Sequence, residues 1–123
     1  MEKREKIVAD YFNSWIKKDM SIPANTFAGG ATYIESWGPV YRGLEDILYW
    51  FEDWNRLHSV LEWNIHKFYH SGNICICEWY FKCTCYDEIS DFNGASIITF
   101  NDDDKIVLLK EFKSDALDVY PYE

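Results

Sequence analysis

The chain has 123 residues, a formal net charge of −9 and an aromatic content of 19%. That length suits a single domain, 1–123, with one core. The acidic balance argues against nucleic acid and anionic membranes as partners, because both need a cationic face.

In chain order, residues 2–18 place Ile7, Val8, Tyr11, Phe12 and Trp15 at helical spacing among charges, which predicts an amphipathic first helix. The N-terminal MEKREKIVADYF lacks the apolar run of a signal peptide, and no stretch reaches ~18 apolar residues. The expected setting is cytoplasmic. SIPANTF follows, with Pro23 near the start of a short helical turn, and AGG is expected to end it before a strand at 31–37, ATYIESW. After Gly43 an apolar stripe of Leu44, Ile47, Trp50, Phe51, Trp54 and Leu57 predicts a second long helix over 44–57, with Glu45 and Asp46 in the first turn, where the helix dipole favours anions.

From Val60 onward the period drops to two. Strands are predicted at 60–70, 73–86, 92–101 and 105–114, joined by the turn-rich SGN, DEISD and NDDD, so neighbouring runs should pair as an antiparallel meander. Helices first and sheet second give the α+β class. A curved sheet folded over helices leaves a concave apolar pocket between them, the usual place for a small-molecule site, and the abundant aromatics suit its walls.

The four cysteines lie in CICEWYFKCTC. A Cys-x-Cys pair on a strand is spaced ~6.6 Å along one face, which suits neither a relaxed disulfide nor a zinc cage. They read as small hydrophobes in a reducing compartment. His66 and His70 would lie ~13 Å apart on a strand, so no metal pair is expected. The acidic run Asp102–Asp104 lacks the distal glutamate of a calcium loop and reads as a hairpin turn.

Acids inside apolar strands need an explanation, because burying an unpaired carboxylate costs several kcal/mol. Glu35 is either hydrogen-bonded in a pocket or at an exposed edge. Glu78, inside CICEWYF, is either a pocket residue or outward-facing. Tyr11 is either core or site. Glu111 and Lys113, two apart on one strand face, are placed to reach inward and make one end of the pocket polar.

The order helix, short helix, strand, GPVYRG, helix and long strands, with DYFNSWIKKD near the start and ITFNDDDKIVLLKEF near the end, resembles the nuclear-transport-factor-2-like cone fold, in its SnoaL-like and ketosteroid-isomerase-like branch. The resemblance covers nearly the whole chain. It implies a curved, mixed but mainly antiparallel sheet wrapped around N-terminal helices with an internal pocket. It also implies that Glu35 stands at the position of the carboxylate base and Tyr11 at that of the phenol that donates to an oxyanion. Three positions depart from the isomerase pattern. Ser96 stands in the place of the protonated aspartic acid, Phe51 replaces a supporting tyrosine, and Lys113 replaces an aromatic wall.

Two functions follow. One is a binding protein for an apolar or amphipathic metabolite. The other is a cofactor-independent isomerase, cyclase or dehydratase with Glu35 as base or acid and Tyr11 and Ser96 as donors. Binding is favoured, because the oxyanion partner is weakened. The expected pocket is walled by Tyr11, Trp15, Trp37, Trp50, Trp54 and Ile98, with Glu35, Glu78, Glu111 and Lys113 as polar groups. No cofactor or metal is called for. Desolvation should raise the Glu35 pKa, whereas a paired Lys113 or Arg42 would lower it. Finally, the sheet face turned away from the helices, from 73–86 and 92–100, is expected to be covered in a twofold homodimer.

Overall fold

The computed structural model describes residues 2–123. Three helices, α1 (Glu2–Lys17), α2 (Ser21–Thr26) and α3 (Leu44–Leu57), pack on six strands, β1 (Phe27–Ile34), β2 (Val40–Arg42), β3 (Ser59–Ser71), β4 (Ile74–Cys85), β5 (Glu88–Phe100) and β6 (Ile106–Asp115). All six strands form one sheet in the order β2-β1-β6-β5-β4-β3. Every neighbouring pair is antiparallel except β1 and β6. This is the α+β cone expected from the sequence.

Helix α1 buries Val8, Tyr11, Phe12 and Trp15, the stripe read from its spacing, and α3 buries Ile47 and Phe51. Aromatic contact joins helix to sheet. Phe12 stacks on Trp63 of β3, ring centroids 3.8 Å apart and 7° from parallel, a contact worth about 1 kcal/mol beyond the area it buries. Along β4 the alternation is strict: Cys75, Cys77, Trp79 and Cys83 are buried, and Glu78 is exposed. Register shifts interrupt the ladder twice between β3 and β4, once between β5 and β6 and once between β1 and β6. Such irregularities bend strands and increase twist, which curves the sheet over the helices.

The differences from the sequence reading are local. AGG does not precede β1 but lies inside it, and the register shift between Phe27 and Thr32 absorbs the glycines. Strand β1 ends at Ile34 rather than at 37, and Val40–Arg42 returns beside it as a short hairpin partner that the sequence reading lacked. Strand β5 begins at Glu88 rather than at 92, because the turn is only Tyr86 and Asp87, with φ of 52° and 65°. Two left-handed residues in a two-residue loop make a type I′ turn, whose usual asparagine-glycine signature is missing here. Residues 102–104 do form the β5–β6 turn. Asn101 Oδ1 accepts the N–H groups of Asp103 and Lys105, and Asp104 pairs with Lys3 and Arg4. Among the described residues no helix is long and apolar enough to cross a membrane.

Candidate active site

The exit of β1 explains where Glu35 sits. Its backbone N–H donates to Pro39 O at 2.9 Å, and Gly38 N–H donates back to Glu35 O at 3.1 Å, closing the loop between β1 and β2. Gly38 has φ of 122°, a conformation that side-chain-bearing residues rarely adopt, so the glycine is a condition of this closure. Glu35 is therefore held at the strand end with its carboxyl directed into a cavity of about 190 Å³. The phenol of Tyr41 on β2 donates to Glu35 Oε2 at 2.8 Å. Desolvation raises the Glu35 pKa against the smaller opposing effects of hydrogen bonds from Tyr41 and Trp37.

A second carboxyl shares the site. Glu111 of β6 receives the Tyr33 hydroxyl and the Ser36 backbone N–H. The residue keeps part of its surface toward the cavity, but protein packs around the carboxyl itself, and burial pushes its pKa up to about 8, with the nearby Glu35 charge adding to the rise. At neutral pH Glu111 is a neutral acid. The parallel pairing of β1 and β6, which sets Tyr33 opposite Leu109 and Ile34 opposite Lys110, is what brings Glu35 and Glu111 side by side.

Among the described residues neither carboxyl is ion-paired with a lysine or arginine. Lys113 lines the same cavity, yet its Nζ lies 5.3 Å above the centre of the Phe92 ring. Of the residues expected at the site, Glu35, Glu111, Lys113, Trp15, Trp37, Trp50 and Trp54 line this cavity.

Four others lie elsewhere. Tyr11 is fully buried beneath the cavity, with its ring edge-on to Tyr33. Its hydroxyl makes no well-formed hydrogen bond, although Tyr33 and Trp15 are near enough to favour its ionised form, and burial dominates and raises its pKa. Ser96 is also fully buried, and its hydroxyl accepts the indole N–H of Trp79 at 2.9 Å. Ile98 is core. Glu78 is corrected to the outward face: the alternation of β4 turns it away from the helices, where the Tyr69 hydroxyl donates to it.

Several residues of the site escaped the sequence reading. Tyr33 and Tyr41 hold the two carboxyls, and Trp63, Trp79 and Phe92 complete the wall. Tyr33 was within reach, since Ala31, Tyr33 and Glu35 alternate onto one face. Tyr41 was not, because nothing local marks Val40–Arg42 as a strand. Cys83 and Cys85 also line the cavity, with sulfurs 3.3 Å apart, closer than the strand rise suggested, because both side chains lean toward each other. All four cysteines are free thiols, and burial raises the Cys83 pKa to about 12.

The SnoaL-like domain family model matches residues 8–109, and the chain belongs to that family. Among curated proteins none matches the sequence. Solved structures share the fold at low identity. An LEH-like epoxide hydrolase of M. tuberculosis is 13% identical, covers 92% of this chain and 84% of its own, and superposes with a TM-score of 0.82. An NTF-2-like protein of unknown function from Burkholderia xenovorans LB400 is 15% identical over 98% of this chain and 90% of its own, with a TM-score of 0.78. A protein with a ketosteroid-isomerase-like fold from Catenulispora acidiphila DSM 44928, solved with trimethylamine, is 18% identical over 89% of this chain and 85% of its own, with a TM-score of 0.77.

Proposed function

We propose that the chain binds a small amphipathic metabolite in the aromatic cavity and moves a proton on it, as an isomerase, cyclase, dehydratase or hydrolase would. The observation that carries this reading is the pair of carboxyls at the cavity wall without a cationic partner. Two acids whose surroundings give them different proton affinities can divide the roles of acid and base. Glu35, hydrogen-bonded by Tyr41 and less deeply enclosed, is the base. Glu111, neutral below about pH 8, is the acid that delivers a proton to a substrate oxygen. Tyr33 and Tyr41 position the two carboxyls, whereas Tyr11 and Ser96, the expected donors to the substrate oxygen, lie outside the cavity lining. The epoxide hydrolase and the trimethylamine complex among the similar folds support a small ligand in a cavity of this kind.

The test starts from a ligand captured by the purified protein from a metabolite extract and identified by mass spectrometry. The wild type is expected to convert it or to exchange one of its C–H hydrogens with solvent deuterium. Glu35→Gln, once saturated with it, should react at least ~100-fold more slowly. Equal rates in the two proteins would remove Glu35 from the chemistry.

The proposed assembly is a twofold homodimer through the outer sheet face. The alternation places Ile76, Ala95, Ile97 and Phe112 on that face, and Phe112 is 53% exposed. Light scattering at micromolar concentration should give about twice the single-chain 14.7 kDa; the single-chain mass would refute it.

A further inference from the structure

Two carboxyls, Glu35 and Glu111, stand on the cavity wall, and no lysine or arginine among the described residues pairs with either. Burial raises the pKa of both. A carboxylate in such a half-dry site is costly unless an opposite charge joins it. The walls present what a cation favours. From Trp50 through Trp15 and Trp63 to Trp79, successive ring centroids lie 4.8, 6.5 and 5.6 Å apart, a run of four indoles along the wall. Indole faces attract an ammonium group within about 6 Å of the ring centre more strongly than any other side-chain ring does. The rim already holds one such contact, the Lys113 ammonium over Phe92. The cavity, about 190 Å³, is smaller than those that enclose drug-sized ligands, roughly 300–1,000 Å³.

We propose that the ligand of this cavity carries a small organic ammonium group, caged by the tryptophan rings and matched in charge by the Glu35–Glu111 carboxyl pair. The proposal rests on the reading that this cavity is the ligand site. It does not depend on turnover there.

A cation beside the pair favours loss of the Glu111 proton, so binding and proton release are linked. The groups facing Glu111 are Tyr11 from α1, Tyr33 from β1, Glu35 from its exit, Tyr41 from β2, Cys77 from β4 and Lys113 from its own strand. The three phenols and the Cys77 thiol are all shifted upward, chiefly by burial, so they stay neutral up to pH 9. The carboxyl pair is therefore the part of this cluster that changes charge between pH 6.5 and 9.

The experiment titrates the full-length chain with choline and with its neutral isostere 3,3-dimethylbutan-1-ol, following tryptophan fluorescence at pH 6.5 and 9. Choline is expected to bind at least five-fold more tightly at pH 9, and calorimetry in two buffers of different ionisation enthalpy should show proton release. The isostere should bind at least ten-fold more weakly than choline at pH 9 and show no pH dependence. Glu111→Gln should flatten the choline pH profile, and if that variant does not fold, calorimetry on the wild type that shows no proton release on choline binding at pH 7.5 overturns the linkage instead. Lys113→Gln should tighten choline binding by two- to five-fold, because it removes a like charge from the rim. Isostere binding equal to or tighter than choline at both pH values overturns the ammonium proposal and leaves the small-molecule pocket standing. Choline binding that Trp50→Ala leaves unchanged overturns it as well. No response to either probe at 10 mM overturns both the proposal and the pocket reading.

Discussion

Replacing Gly94 by alanine is expected to destabilise the protein by about 3 kcal/mol, a fall in melting temperature of roughly 10 °C. Gly94 on β5 is paired with Trp79 on β4, and the indole lies across the bare backbone. A methyl group there would stand 2.7 Å from Trp79 Cζ2 and 2.5 Å from the carbonyl oxygen of Phe112. Neither neighbour gives way cheaply. The carbonyl belongs to β6, and the indole is 2% exposed and tied by its N–H to Ser96. Because Trp79 is part of the cavity wall, relief of the clash would also reshape the pocket. A thermal melt measures the first effect, and a change of less than about 2 °C would mean that the indole can move aside freely.

Glu111→Gln is expected to stabilise the protein at pH 8.5 by roughly 2 kcal/mol and to have little effect at pH 4. The sign comes from the raised pKa, which rests mainly on burial. Below about 4.3 the carboxyl is protonated both folded and unfolded, so it sets no pH slope. Between there and about 8 the unfolded chain has released the proton and the folded one has not, so wild-type stability declines as pH rises. Above about 8 the folded protein carries the buried charge as well and the decline levels off. The amide in Glu111→Gln keeps an acceptor oxygen for the Tyr33 hydroxyl and the Ser36 N–H, and it does not titrate. Denaturant unfolding across this pH range reads the difference directly. A variant with the wild-type slope would show that the carboxyl is well solvated.

The fold was largely legible because its periodicities are long and unmixed. Val8, Tyr11, Phe12 and Trp15 can share a face only on a helix, and Cys75, Cys77 and Trp79 only on a strand. The boundaries that escaped depend on backbone conformation rather than on side-chain pattern. Tyr86 and Asp87 turn the chain with left-handed dihedrals that neither residue advertises, and Gly29 and Gly30 look like a break but sit inside β1. The site was legible in part. Glu35 stood out as an acid among apolar residues, and Glu111 and Lys113 followed from their spacing. That Glu111 is the more strongly perturbed acid depends on the parallel register of β1 with β6, a pairing between segments that no local pattern connects. The resemblance makes Ser96 a donor to the substrate oxygen, whereas its hydroxyl is committed to an indole seventeen positions away in sequence.

That parallel register also orders events in folding. Tyr33 and Glu111 are 78 residues apart, so their contact closes a loop that spans most of the chain. The β3–β4 and β4–β5 hairpins, with two-residue turns, close at far smaller entropic cost and need not wait for it. Until β6 docks beside β1, both acids remain in water with ordinary proton affinities. The last major step in building the sheet is then the one that drives a proton onto Glu111. Proton uptake during refolding near pH 7 should therefore lag behind hairpin formation and coincide with the final closure of the cone.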